Sequence, residues 1–207
     1  MGVFFVILPG SSQPGKPDSE NPLRRIVILG DSITAGYGLD PSEAYPALLQ
    51  KRITEHRLPY KVINAGVSGD TTSGGVRRTD WVLKQEADVL VLALGGNDGL
   101  RGISPAVTQS NLLTIIERAR IRTPEIRVLV AGMQMPPSMG EDYARSYREI
   151  FPEVAKQARV SLIPFLLEGV GALPEMNQPD LIHPTAEGQR RIADTVWKSL
   201  EPLLARK

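Results

Sequence analysis

The stretch Arg24–Leu39, RRIVILGDSITAGYGL, runs a block of aliphatic residues straight into Gly-Asp-Ser. Ile26–Leu29 shows no polar–apolar alternation, which is the pattern of a strand covered on both faces. Ending such a strand at Gly30-Asp31-Ser32 leaves two readings for the serine. Ser32, or Thr34 beside it, caps the helix that follows, or Ser32 is a nucleophile delivered to the edge of a sheet.

Four more short runs resemble the first: Lys61–Asn64, Val89–Leu94, Arg127–Ala131 and Ser161–Ile163. Amphipathic segments separate them. Ala44, Leu48, Leu49 and Ile53 share one helical face, as do Leu112, Ile115, Ile116 and Ala119. Ile192, Val196, Leu200 and Leu203 recur at helical spacing near the end of the chain. A segment from Tyr143 to Ala158 contains Pro152 and is expected to be kinked or split. Strand–helix alternation throughout predicts an α/β fold: a flavodoxin-like three-layer α/β/α sandwich on a mostly parallel five-stranded sheet.

The totals agree with a single globular domain. The chain has 207 residues, 42% hydrophobic and 23% charged, with a formal net charge of +1. That charge gives no reason to expect nucleic acid as a partner. There is no Cys and there are only two His, so a thiol nucleophile is excluded and neither a metal site nor another cofactor is expected. Val3–Leu8 is apolar but too short to span a bilayer, so stable membrane insertion is not expected. It also lacks the charged start and small-residue cleavage site of a secretory leader. It reads as a signal remnant or mis-chosen start, or else as a disordered tail. Residues 9–22, PGSSQPGKPDSENP, read as a linker. The expected division is therefore 1–22 as linker or signal remnant and 23–207 as the folded domain.

Ligands of open parallel sheets bind beyond the carboxyl ends of the strands. Four polar segments fall there: Gly30–Gly38, NAGVSGDTTSGG from Asn64 to Gly75, LGGNDGL from Leu94 to Leu100, and QPDLIHPT from Gln178 to Thr185. Each alone reads as a cap or turn. Together they hold a complete chemistry. A serine hydroxyl needs an imidazole base, and the imidazole needs a carboxylate to hold its tautomer. Asp180 and His183 are spaced to share one turn. Oxyanion donors are available from the Ser32 and Gly69 amides and the Asn97 side chain. A catalytically silent flavodoxin-like binding module is the alternative, but a pure binder has no need of Asp180 ahead of His183. His56, in EHRLP, reads as a surface residue.

GDSITAGYGL, GVSGDTTSGG, GGNDGL and DLIHPT resemble, in order, the four signature blocks of the GDSL or SGNH hydrolases. The likeness covers nearly all of Arg25 to Leu203 and is nearest the bacterial arylesterase, acyl-CoA thioesterase and lysophospholipase branch. The resemblance implies the SGNH hydrolase fold, with Ser32 as nucleophile, His183 as base and Asp180 as third member of the triad. It implies Gly69 and Asn97 as partners of the Ser32 amide in the oxyanion hole. It further implies small-molecule substrates, namely short- to medium-chain esters, aryl esters, acyl thioesters or lysophospholipids, and a periplasmic or secreted location. The incomplete N-terminal signal also fits a cytoplasmic protein. Met133, Met135 and Met139, and the segment FLLEGVGALPEM, read equally as the lining of an acyl pocket or as core. Oligomeric state is not legible.

Overall fold

The computed structural model of the chain describes residues 23–205. The expectation for residues 1–22 lies outside the described residues. Five strands form one sheet: β1 (Arg24–Gly30), β2 (Tyr60–Gly66), β3 (Val89–Ala93), β4 (Arg127–Ala131) and β5 (Ser161–Ile163). Their order is β2-β1-β3-β4-β5, and every pairing is parallel. Among the described residues seven α-helices accompany them: α1 (Ser32–Ala35), α2 (Tyr45–Glu55), α3 (Thr72–Val82), α4 (Gly96–Leu100), α5 (Pro105–Arg122), α6 (Glu141–Ala158) and α7 (Ala186–Leu204). α2 packs on α7, while α3 packs on α5 and α5 on α6. The sheet is thus sandwiched between two helical layers, the expected α/β/α architecture.

Burial follows the sequence pattern. Ile26–Leu29 and Val89–Leu92 are fully buried, because β1 and β3 have strands on both sides and helices on both faces. Edge strand β2 instead exposes Lys61 and Asn64. The helices bury the stripes that the spacing predicts: Leu49 and Ile53 on α2, Leu112, Ile115 and Ile116 on α5, and Ile192, Val196 and Leu200 on α7. Each such side chain contributes about 1.5–3 kcal/mol when fully removed from water. α6 runs unbroken through Pro152 and buries Tyr147, Ile150, Phe151 and Val154 beneath it. The anticipated split does not occur, because packing along that face offsets the one backbone bond a proline omits.

After β2 the chain crosses over β1 to β3, so the strand order reverses between β1 and β3. Loops leaving these two neighbours diverge to opposite layers, and the carboxyl ends of strands at such a switch point are where open α/β sheets bind ligands. Ser32 follows β1 and Asn97 follows β3. No helix among the described residues is long and apolar enough to cross a membrane.

Candidate active site

The Gly-Asp-Ser turn shows which of its residues caps the helix. Asp31, not Ser32 or Thr34, caps α1: its carboxylate accepts the Ile33 amide at 3.0 Å. Thr34 is buried with its hydroxyl 2.8 Å from that of Tyr45. Ser32 is left as the first residue of α1, 8% exposed. Its amide lies in the first helical turn, where no carbonyl one turn earlier is available to accept it.

The turn before α7 brings the other groups. Asp180 Oδ1 accepts the backbone N–H of Ile182 and of His183, both at 2.9 Å. Its Oδ2 lies 2.6 Å from His183 Nδ1. Leu181 takes a left-handed φ of 58° to let the chain fold back on itself. His183 Nε2 then reaches Ser32 Oγ at 3.0 Å, across a separation of 151 residues. Two further contacts hold this turn against β1 and α1. Gln178 donates to the carbonyl of Tyr37 at 2.7 Å, and the buried Gln189 on α7 donates to that of Ile33 at 3.0 Å. The Tyr37 ring lies 4.4 Å from the imidazole, covering one side of it. Tyr37 and Gln178 stand inside the quoted blocks, yet nothing in the sequence sets them apart from other loop polars.

Protonation follows from the contacts. The hydrogen bond from His183, then the two backbone N–H groups, pull the Asp180 carboxyl down to about 2. An ionised carboxylate only accepts, so His183 Nδ1 carries the proton and Nε2 is the acceptor facing the serine hydroxyl. Asp31 moves the opposite way. Burial pushes it up to about 6, only partly offset by the Ile33 amide and the attraction of His183.

Gly69 and Asn97 complete the group. Gly69 sits in a turn closed by the Asp70 amide on the Val67 carbonyl, with φ of 77°. That backbone is open to glycine at little cost. Asn97, on α4, donates one side-chain N–H to the Asp70 carbonyl at 2.9 Å, which leaves the second N–H of the amide to point elsewhere. Fully buried Asp98 fastens α4 to the start of α3 by accepting the Thr72 amide at 2.8 Å and the Thr72 hydroxyl. The structure therefore joins Ser32, Asp180 and His183 through direct bonds and seats Gly69 and Asn97 on either side of Asp70. His56 is exposed, its ring bonded to the Arg52 carbonyl, as expected. Met133 and Met135 lie in the core, and Met139 packs against it. Among the described residues no group of three or more His, Cys, Asp or Glu could hold a metal.

A serine, an imidazole and a carboxylate bonded in series at the end of a parallel sheet have the makings of a serine hydrolase centre. The chain belongs to the GDSL-like Lipase/Acylhydrolase family, whose sequence model matches residues 28–191. It is 44% identical to Esterase TesA of Pseudomonas aeruginosa, covering 86% of this chain and 89% of that protein. It is 39% identical to Thioesterase 1/protease 1/lysophospholipase L1 of Escherichia coli strain K12, covering 86% and 84%. A crystal structure of TesA superposes with a TM-score of 0.83 at 42% identity, over 87% of this chain and 99% of that one.

Proposed function

We propose that this SGNH-type esterase hydrolyses carboxylic esters, and acyl thioesters or lysophospholipids with them, through an acyl-enzyme on Ser32. The observation that carries the mechanism is the bonded series Ser32–His183–Asp180, at 3.0 and 2.6 Å. His183 Nε2 takes the hydroxyl proton as Ser32 Oγ attacks the ester carbonyl. The charge that develops on the carbonyl oxygen meets the amides of Ser32 and Gly69 and the free N–H of Asn97. Asp180 stays ionised and stabilises the imidazolium. The imidazolium returns its proton to the departing alcohol or thiol, leaving acyl-Ser32. Water activated by the same imidazole then releases the acid and restores the serine.

The names of the relatives, an esterase and a thioesterase/lysophospholipase, support this substrate range. Export to the periplasm or medium belongs to the same proposal and rests on the family resemblance. The placing of the catalytic domain at residues 23–207 belongs to the proposal as well and rests on the linker composition of residues 9–22. Two measurements test the mechanism. A fluorophosphonate should label the wild type once, on Ser32, and Ser32→Ala should lose about 10⁶-fold in turnover with an unchanged fold. Near-wild-type turnover by a rigorously purified Ser32→Ala protein would remove the covalent mechanism. Rates on a p-nitrophenyl ester series, an acyl-CoA and a lysophospholipid would rank the substrates.

A further inference from the structure

We propose that Arg78 is the positioning residue of the oxyanion hole, setting Gly69 and Asn97 relative to Ser32 through Asp70. The inference rests on the catalytic reading above and extends it to a residue outside the four blocks.

Arg78 projects from α3 and is only 18% exposed at its side chain. Its guanidinium donates to three acceptors at the active edge, one near the end of each of the paired strands β1 and β2 and one beside Gly69. Nε bonds Asp70 Oδ2 at 2.7 Å, Nη1 bonds the Ala65 carbonyl at 2.6 Å, and Nη2 bonds the Gly30 carbonyl at 2.8 Å. Gly30 lies two residues before Ser32, and Ala65 is the last residue but one of β2, just before the Gly69 turn. Asp70 directly follows Gly69, and its own carbonyl takes the Asn97 amide. One planar group thus ties the nucleophile strand, the glycine donor and, through Asp70, the asparagine donor.

The surroundings are shaped for this contact. The Asp70 side chain is 10% exposed and also accepts the Thr71 amide at 3.1 Å. A Cβ on Gly74 would lie 1.7 Å from Asp70 Oδ1, so glycine at the start of α3 makes room for the carboxylate. The Gly30 carbonyl also accepts the Val67 amide, which binds the start of the Gly69 turn to the same strand end. Lysine offers a point charge and no fork, so it cannot hold all three acceptors at once. Oxyanion donors act through placement, and misplacement of about 1 Å costs about 10²-fold in rate. A loosened fork should therefore slow turnover more than it weakens substrate binding.

The test is a kinetic cycle on p-nitrophenyl butyrate with Arg78→Lys, Asn97→Ala and the double variant. Arg78→Lys is expected to lower kcat by about 10–100-fold with KM within about twofold. The double variant should lose clearly less than the product of the two single losses, because the part of the Arg78 effect that passes through Asn97 is already gone. If the lysine variant folds poorly, Asp70→Asn interrupts the same path with smaller disturbance and should show the same kcat loss and the same non-additivity. Wild-type kcat in Arg78→Lys and Asp70→Asn with lowered melting temperatures would make Arg78 a staple for strand ends alone and overturn the proposal. Independent, multiplying losses in the double variant would overturn it too. Fluorophosphonate labelling of the wild type tells the two readings apart. Label on Ser32 with an unaffected Arg78→Lys refutes only the positioning role, whereas no label on Ser32 refutes the nucleophile itself.

Discussion

Asp31→Asn separates the charge of a buried carboxylate from its capping bond. The wild-type side chain is 2% exposed and its one hydrogen bond from another residue is the Ile33 amide, which an asparagine oxygen can also accept. Burial raises the carboxyl from 3.8 to about 6. Between these values the unfolded chain has released a proton that the folded protein still holds. This group's contribution is therefore fully present below about pH 3.8, is lost as pH rises to about 6, and is flat above that. The full loss is about 3 kcal/mol, and roughly 2 kcal/mol of it falls between pH 4 and pH 8. Asparagine has no such loss. Its stability relative to the wild type should improve by that amount from pH 4 to pH 8, whatever constant offset its NH₂ group introduces. Urea unfolding of both proteins at several pH values measures it, as a relative midpoint change of about 1 M. A difference that stays constant within about 0.5 kcal/mol over this range would show that Asp31 ionises as freely as in the unfolded chain.

On the proposed mechanism, Asn97→Ala should cut kcat by about 10²–10³ with KM little changed, since its second N–H would meet charge that develops only in the transition state. Loss of its bond to Asp70 should cost no more than about 1–2 kcal/mol of stability; unchanged turnover with a large fall in melting temperature would assign Asn97 to the turn alone. A chain beginning at Leu23 should keep the melting temperature and the turnover of the full sequence. Unfolding of that shortened chain would move the domain boundary upstream.

The sheet was legible because central parallel strands are written as unbroken aliphatic runs. Arg127–Ala131 and Ser161–Ile163 match β4 and β5 to the residue, and β1 exceeds Ile26–Leu29 only at its less buried end and at Gly30. Helix α3 was not legible. Gly74 and Gly75 make its opening read as loop, yet both are glycine for packing reasons: a Cβ would strike Asp70 at the first and Leu94 Cδ1, 2.4 Å away, at the second. The candidate triad was legible because an aliphatic run stops at Gly30-Asp31-Ser32 and because Asp180 stands three residues before His183. Arg78 was not, since three acceptors 8, 13 and 48 residues away define its role and two of them are backbone carbonyls. Nor could spacing decide whether the methionines lined a pocket. Their burial depends on how α4 and α6 close over β4, and Met135 ends up against Gly99.

The separation of 151 residues between Ser32 and His183 has a consequence for biosynthesis. Asp180 and His183 pair within one turn, but the hydroxyl that His183 reaches lies just past β1, and their turn is held by Gln189 of α7 through its bond to the Ile33 carbonyl. A nascent chain on the ribosome can complete most of the sheet and still lack a working centre until α7 has emerged and settled against α2. Hydrolytic activity is therefore a late event in the life of each molecule. A chain cut short before α7 is expected to be silent rather than partly active.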